Sequence, residues 1–232
     1  SRSLISNESV TIERLPSDIF YLRISQFQRN TGKELKKKLS ALLGKNSTDP
    51  KGVILDLRNN PGGILNSAVE VCNAFLEKGI IVSTKGRQTG SNQKFFASGK
   101  VLIKNAPLIV LINEGSASAS EIVAGALKDN NRAIIAGRQS FGKGSVQTIH
   151  PMRNDTALKL TTAFYYTPDG LSIQATGIRP DIVIENLTLD TKEETRFTET
   201  DLNQHIKSKV KTIVTIPADN AAPKSKANKY DI

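Results

Sequence analysis

The sequence of 232 residues is poor in several residue types that often define a function, with one cysteine, two histidines and no tryptophan. The single cysteine, Cys72, excludes an internal disulfide framework and a metal site built from several cysteines. No apolar run approaches the roughly 18–20 residues that a membrane helix needs, so we expect no bilayer-spanning segment. The opening residues, SRSLISNESVTIER, are polar and lack the apolar region of a secretory signal. Hydrophobic residues still make up 38% of the chain, which is enough for a folded core.

Negative charge is also scarce. The chain has 32 Lys and Arg residues but only 22 Asp and Glu residues, so its formal charge is +10. Such an excess is typical of nucleic-acid binding, but no helix-turn-helix, zinc or aromatic RNA-binding motif accompanies it. We therefore expect no specific nucleic-acid partner. Much of the excess lies near the C-terminus, where we interpret it as favouring solubility or peripheral association with anionic envelope surfaces. Those lysines are Lys207, Lys209, Lys211, Lys224, Lys226 and Lys229.

Short apolar runs alternate with helix-like segments over the first 137 residues, which predicts an α/β fold with a βαβ core of mainly parallel strands. Thr31 and Glu34 have the spacing of a capping box. A β-rich part follows from 145 to 185, including the run LSIQ. We predict one domain, the catalytic core, over 1–185. An extension with a short helix follows over 186–216, and a basic tail over 217–232. The predicted strands are 18–24, 52–57, 80–84, 107–113 and 132–137. One predicted helix begins at Thr31, a second covers 64–76 and is stopped by Gly79, and a third covers 118–129.

Three small-residue junctions follow predicted strands, where active sites of α/β sheets usually lie. The first is 59–63, with the sequence NNPGG. It is a strand-to-helix turn on the simplest interpretation, but adjacent glycines also let a substrate approach and leave N–H groups free to face an anion. The second is 114–121, EGSASASE. One serine would explain a helix cap, whereas three alternating with small residues indicate a hydroxyl that must stay exposed beside a helix N-terminus.

The third junction, 137–145, nearly matches the phosphate-binding pattern G-x-x-x-x-G-K-[ST]. Gly144 stands where the motif needs Ser or Thr, and the β-like SVQTIH follows where the motif needs a helix, so we reject a phosphate loop. Lys143 between two glycines is instead a candidate for burial, which favours the neutral amine that acts as a base. His150 is an alternative base without a local signature, and His205 lies in a solvated amphipathic segment. A Ser-Lys pair is thus the favoured chemistry.

Four ordered motifs resemble the carboxyl-terminal processing proteases, also called tail-specific proteases, over about residues 15–185. They are KGVILDLRNNPGG, VLINEGSASASEIVAGALKDNNRAIIAG, FGKGSVQ and LTTAFYYTPDGLSIQATGIRPD. The resemblance implies that Ser118, the middle serine, is the nucleophile and that Lys143 is the base. It further assigns Gln147 to the catalytic group and implicates Asp129 in activity.

The same resemblance implies an oxyanion hole formed by the Ala119 N–H and a glycine N–H, with Gly63 preferred and Gly62 as the alternative. It implies a crotonase- or ClpP-like protease core and no cofactor or metal. Members of that family usually carry a PDZ domain that reads the substrate's C-terminus, and no segment here resembles one. The sequence would then represent the catalytic core, beginning just after that domain.

The predicted function is a serine endopeptidase that cleaves proteins near flexible, apolar C-terminal tails by a Ser-Lys dyad. The resemblance implies a bacterial periplasmic or envelope location, and it leaves membrane association and a homo-oligomer open. The alternative is a non-catalytic module of the same fold that holds an extended peptide by strand addition. Intact Ser118, Lys143 and Gln147 favour the enzyme.

Overall fold

The computed structural model describes residues 8–44, 49–87 and 89–185. Two short 3₁₀ helices, Pro16–Asp18 and Thr89–Ser91, accompany the main elements. The main elements are β1 (Val10–Leu15), β2 (Ile19–Ile24), α1 (Thr31–Leu43), β3 (Gly52–Asp56), α2 (Leu65–Asn73), β4 (Ile80–Gly86), β5 (Gln93–Phe96), β6 (Leu108–Ile112), α3 (Ala119–Asp129), β7 (Ile134–Gly137), β8 (Ser145–Pro151), β9 (Ala157–Tyr166) and β10 (Ile182–Val183).

A six-stranded sheet forms the centre of the fold, in the order β1-β2-β3-β6-β7-β10. β2, β3, β6, β7 and β10 run parallel, and β1 pairs antiparallel with β2 at the edge. This confirms the predicted α/β class with a core of mainly parallel strands. The comparison with crotonase and ClpP stays an expectation.

The hydrophobic core lies between this sheet and the three helices. Alternate strand residues such as Leu22, Leu55 and Val110 are fully buried, and they pack in one cluster with Leu39 of α1 and Val123 of α3. Alternation along each strand directs every second side chain toward the helices. The helices therefore cover one face of the sheet, and the loops at the carboxyl ends of its strands carry the candidate site.

A second, antiparallel sheet has the order β5-β4-β9-β8. It contains β4, which the alternating pattern assigned to the parallel core; that part of the prediction is wrong, because periodicity does not reveal a strand's partners. The β8–β9 hairpin turns at Asn154 and Asp155, both with positive φ. This agrees with the predicted β-rich segment.

Several local predictions need correction. Thr31 is the first residue of α1 rather than its cap, since Asn30 holds the N-cap position and Glu34 accepts hydrogen bonds from Ser9 instead. α2 ends at Asn73 rather than near Gly79. In the run LSIQ, only an isolated bridge at Ser172 is formed. The sequence patterns also missed β1 and β5.

The predicted extension over 186–216 and the predicted tail over 217–232 lie outside the described residues, so the division at 185 stays a prediction. Within the described ranges, the longest helices are too short or too polar to cross a bilayer.

Candidate active site

Ser118 lies at the junction between β6 and α3, directly before the first helical residue. Its backbone has φ 53° and ψ −109°, a left-handed region that costs a non-glycine residue about 1–3 kcal/mol. Such strain persists only where surrounding contacts hold it. The position also places the serine at the positive end of the α3 dipole, which favours negative charge.

The three serines of the S-A-S-A-S segment have different surroundings. Ser116 and Ser120 are fully buried, and their hydroxyls donate to the carbonyls of Leu57 at 2.8 Å and Asn60 at 2.9 Å. Ser118 is partly exposed, and its hydroxyl donates to no other residue within the described ranges. Two serines therefore anchor the loop. The third accepts the Glu121 N–H in a capping box and keeps its hydroxyl proton without a described acceptor.

The 59–63 loop is held against this serine segment by Asn60, which is fully buried. Its amide donates to the Ile24 carbonyl at 2.8 Å and accepts the Gly62 N–H at 2.9 Å, while its own carbonyl accepts the Ala117 N–H at 3.0 Å. These bonds join the end of β2, the glycine loop and the serine loop. No sequence pattern predicted the hydrogen bond between Asn60 and Ala117.

Backbone N–H groups near Ser118 differ in their availability to an oxyanion. The Ala119 N–H and the Gly63 N–H donate no hydrogen bond to any described residue. The Gly62 N–H is engaged by Asn60, as described above, which favours Gly63 over Gly62 as the glycine donor. Two N–H groups without a hydrogen-bond acceptor among the described residues are available to stabilise a tetrahedral oxyanion.

Glu121 connects the two catalytic candidates. One of its carboxylate oxygens, Oε2, accepts the Ser118 N–H at 2.7 Å and the Lys143 N–H at 2.9 Å. The other, Oε1, accepts the Ser140 hydroxyl at 2.6 Å and the Gly142 N–H at 2.7 Å. A single buried carboxylate thus holds the serine loop and the lysine loop together.

Burial raises the pKa of the Glu121 carboxyl to about 7, although the hydrogen bonds from Ser140, Gly142, Ser118 and Lys143 oppose that rise. All four partners are donors, so they fit the ionised carboxylate best. The charge state of this group is therefore sensitive to pH near neutrality.

Lys143 is half-buried on the loop before β8, and its backbone is fixed by Glu121. The next residue, Gly144, donates its N–H to the fully buried Gln174 side chain at 3.0 Å. Gln147 is exposed on β8, just after a register shift between Val146 and Gln147. β8 follows the loop directly, which confirms the β structure predicted for SVQTIH.

No hydrogen bond joins the side chains of Ser118, Lys143 and Gln147, all of which lie in the described ranges. Catalytic hydrogen bonds are often formed only when substrate is bound. The structure brings the backbones of Ser118 and Lys143 together through Glu121, and it places His150 on the exposed part of β8.

Asp129 is not brought to this group. It ends α3, ten residues after its first residue, Ala119, or about 15 Å along the helix axis at 1.5 Å per residue. Its Oδ2 accepts the Asp169 N–H at 3.0 Å in the turn after β9. The geometry therefore indicates a structural contact for Asp129, and its implied role in activity stays a prediction.

Sequence reasoning missed two groups that hold the site. Glu121 stands three residues after Ser118, the spacing of a capping box, which was an available signal. The other is Asp56, a charged residue inside an otherwise apolar strand run. Asp56 is fully buried at the end of β3. Its carboxylate accepts a bidentate pair of hydrogen bonds from the Arg58 guanidinium and one hydrogen bond from the Tyr21 hydroxyl.

Burial alone would raise the pKa of the Asp56 carboxyl, but the hydrogen bonds from Arg58 and Tyr21 hold that pKa below its usual range. The ionised carboxylate fixes Arg58 immediately before the 59–63 loop. In the described ranges, no group of three or more His, Cys, Asp or Glu side chains could hold a metal ion.

The chain is similar to several known proteins. A carboxy-terminal-processing protease of Bartonella bacilliformis is 52% identical over 199 residues, which are 84% of this chain and 46% of that protein. A carboxyl-terminal-processing protease of Synechocystis is 39% identical over 199 residues, or 84% of this chain and 45% of that protein. This chain therefore spans just under half the length of these relatives.

Among solved structures, a photosystem II D1 C-terminal processing protease superposes with a TM-score of 0.69 at 31% identity. The match covers 80% of this chain and 50% of that one. Residues 18–184 also match Peptidase family S41, a span that contains every residue of the candidate site. The chain belongs to peptidase family S41.

Proposed function

We propose that this chain is the catalytic part of a serine endopeptidase that cleaves proteins near their C-termini, with Ser118 as nucleophile and Lys143 as base. The observation that carries the proposal is the Glu121 Oε2 atom, which accepts the N–H groups of both residues. This one oxygen atom therefore holds the residue that carries the hydroxyl and the loop that carries the amine. That arrangement supports a nucleophile and a base that act as a unit.

In the proposed reaction, the neutral amine of Lys143 takes the proton of Ser118 as the hydroxyl oxygen attacks the peptide carbonyl carbon. The negative charge that develops on the carbonyl oxygen is stabilised by the Ala119 and Gly63 N–H groups, each contributing about 3–4 kcal/mol in comparable serine enzymes. Lys143 then gives its proton to the departing amine. Water hydrolyses the acyl-enzyme, and Gln147 orients the lysine amine.

The names of similar proteins bear on the proposed activity. Two relatives are named for carboxyl-terminal processing, and a Staphylococcus aureus protein that is 43% identical over 166 residues is named a probable serine protease. These names support carboxyl-terminal processing by a serine protease. Flexible apolar C-terminal tails as the substrates and a bacterial periplasmic or envelope location are further parts of the proposal. Fractionation of cells that express the complete protein would test the location.

The test is hydrolysis of an unfolded protein with an apolar C-terminal tail by the wild type and by Ser118→Ala, Ser116→Ala and Ser120→Ala. We expect Ser118→Ala to lose activity by several orders of magnitude. The two buried-serine variants retain catalysis while the protein is folded, although each loses a buried hydrogen bond worth about 1–3 kcal/mol of stability. Circular dichroism at the assay temperature checks that each variant is folded.

Two results would contradict the assignment. Full activity in Ser118→Ala would exclude that serine as nucleophile, and retained activity in Lys143→Ala would make His150 the base. Labelling with a serine-directed acylating inhibitor, followed by mass spectrometry, should modify the peptide that contains Ser118. Peptide binding without hydrolysis or labelling would instead indicate a non-catalytic peptide-binding module.

A further inference from the structure

The loop that carries Lys143 is held from two sides. This lysine loop, residues 138–144, joins β7 to β8. On one side, Glu121 accepts the Gly142 and Lys143 N–H groups, as described above. On the other side lies a segment that follows β9 in the chain, residues 172–178, which we call the 172–178 turn. The proposed reaction gives this turn no role.

The first half of the lysine loop is joined to both supports by Ser140, which is 2% exposed. Its hydroxyl donates to Glu121 at 2.6 Å and accepts the Ile178 N–H at 2.6 Å. Its own N–H donates to the Ile178 carbonyl at 3.1 Å. The start of the loop is therefore fixed to the end of the 172–178 turn.

Both neighbours of Lys143 in the chain are also bonded to the turn. The Ala175 N–H donates to the Gly142 carbonyl at 2.8 Å. The Gly144 N–H donates to the Gln174 side-chain oxygen at 3.0 Å. The turn therefore holds the residue before the candidate base and the residue after it.

The two glycines beside Lys143 let the turn approach this closely. A Cβ atom at Gly144 would lie 2.4 Å from the Gln174 backbone nitrogen and 2.9 Å from its Cα. A Cβ atom at Gly142 would lie 3.3 Å from the Ala175 Cα. Backbone contact with the turn therefore explains why glycines stand on both sides of the lysine.

The turn has two unfavourable features at successive positions. Gln174 is fully buried, and burial of an amide is costly unless its polar atoms are hydrogen-bonded. Ala175 has φ +62°, a region that residues with a side chain rarely adopt. An apolar side chain at position 174 would avoid the first cost, so a glutamine there points to a requirement for its hydrogen bonds.

The hydrogen bonds beside Lys143 act on the two peptide groups that flank its Cα atom. The Lys143 N–H belongs to the preceding peptide group and is held by Glu121, whereas the Gly144 N–H belongs to the following one and is held by Gln174. Each peptide group is planar, so its hydrogen bond restricts the orientation of the whole group. With both groups restricted, the direction of the lysine Cα–Cβ bond is restricted as well.

We propose that Gln174 is a positioning residue for the base. By accepting the Gly144 N–H, it fixes the peptide group after Lys143 and hence the direction in which the flexible lysine side chain leaves the backbone. Glu121 supplies the same restraint on the preceding peptide group. The inference rests on the proposed role of Lys143 as the base, and it assigns the 172–178 turn a part in the reaction.

The first test is Gln174→Met in the full chain, which keeps a side chain of similar length and removes the acceptor. We expect kcat for a peptide substrate to fall at least about tenfold with KM within about twofold, because a small displacement of a catalytic group is costly. The control is Asn73→Leu, which removes an amide oxygen that accepts the Ser98 N–H at 2.8 Å, at the far end of α2 from the 59–63 loop. It should leave kcat unchanged. Wild-type kcat in Gln174→Met, or equal losses in both variants, would overturn the proposal.

A second variant moves the turn away from the loop and leaves Gln174 in place. Gly144→Ala puts a Cβ atom into the 2.4 Å contact described above, and the φ of Gly144 lies outside the left-handed region, so the alanine brings no backbone strain. We expect the same loss of kcat, and this variant decides the question if circular dichroism shows that Gln174→Met does not fold. Wild-type kcat in folded Gly144→Ala would refute the proposal.

A double-mutant cycle distinguishes positioning of Lys143 from a general loosening of the site. The readout is the rate at which a fluorophosphonate labels Ser118, followed by mass spectrometry over hours so that slow labelling is measured. In the Lys143→Ala background, Gln174→Met should change this rate by less than about twofold, since the group that it positions is gone. An equal fold-loss in both backgrounds would show that Gln174 does not act through the lysine.

Failure of the proposed function has a different result in the same cycle. Labelling of Lys143→Ala at the wild-type rate would exclude Lys143 as the base, and with it the group that Gln174 positions. Slow labelling of Lys143→Ala together with wild-type labelling of Gln174→Met would keep the proposed base and overturn only the role of Gln174.

Discussion

At the scale of single residues, Gly62 leaves no room for a side chain beside the candidate nucleophile. Its φ is +96°, and a Cβ atom there would lie 2.6 Å from the Ala117 carbonyl oxygen and 2.9 Å from the Ala119 nitrogen. We expect Gly62→Ala to lower the free energy of unfolding by about 1–3 kcal/mol and to lower kcat/KM by at least about tenfold, since small displacements of a catalytic group are costly. Chemical denaturation and peptide hydrolysis measure the two effects.

The matched control is Gly170→Ala. Gly170 also has a left-handed φ, +82°, but a Cβ atom there meets nothing within 4 Å. Both variants carry the backbone cost, and only Gly62→Ala adds the collision. Equal kcat/KM in the two variants would contradict a close fit between the 59–63 loop and Ser118.

Glu121 makes stability depend on pH. Its pKa is about 7 in the folded protein against an ordinary value of 4.5, so between those values the folded state holds a proton that the unfolded state has lost. The free energy of unfolding therefore falls as pH rises from 4.5 to 7, by about 3 kcal/mol from this group. Glu121→Gln should remove this part of the pH dependence, measured by urea denaturation across that range. An unchanged slope in the variant would show that Glu121 ionises normally.

Glu121 should also affect catalysis as a positioning residue. A glutamine keeps one oxygen acceptor, but its NH₂ group would face at least one backbone N–H donor and cannot accept from it. We expect Glu121→Gln to lower kcat by at least about tenfold with little change in KM, because the loops shift while the substrate groove remains. Steady-state kinetics with a peptide substrate separates the two constants. A change confined to KM would argue against positioning of Ser118 and Lys143.

At the scale of elements, α3 separates the candidate nucleophile from Asp129. Ser118 precedes its first turn, and Asp129 ends it beside the turn at 167–170. We expect Asp129→Ala to cost about 1 kcal/mol of stability through the lost hydrogen bond from Asp169. kcat/KM should stay within about threefold of wild type, a difference below 1 kcal/mol. A loss as large as that of Lys143→Ala, with unchanged stability, would return Asp129 to the catalytic group.

Strand prediction succeeded where burial makes the sequence uniformly apolar. β3 and β6 were predicted from the runs GVILDL and PLIVLIN, since both are central strands of the parallel sheet. β1 and β5 were missed because they are edge strands in which half of the residues are polar and many side chains are exposed. Their formation depends on pairing with β2 and β4, which local sequence does not encode.

At the scale of the whole molecule, Cys72 reports on global unfolding. It is fully buried in the core, and burial raises the pKa of its thiol. Because the thiolate is the reactive form, the folded protein should not react with a thiol-specific disulfide reagent at pH 8. We expect full reaction only when denaturant unfolds the protein. A Cys72→Ala variant gives the background, and rapid labelling of the native protein would contradict the packing of α2 in the core.

The sequence alone determined the chemistry that is available, because short motifs carry Ser118, Lys143 and the 59–63 glycines and place each at the end of a predicted strand. Tertiary structure decided how these parts act together. It distinguishes one partly exposed serine from two buried ones, engages the N–H of Gly62 but not that of Gly63, and leaves Asp129 at the far end of α3. The reason is that the decisive hydrogen bonds join residues far apart in sequence, such as Asn60 with Ala117 and Glu121 with Lys143, and no local pattern specifies such partners.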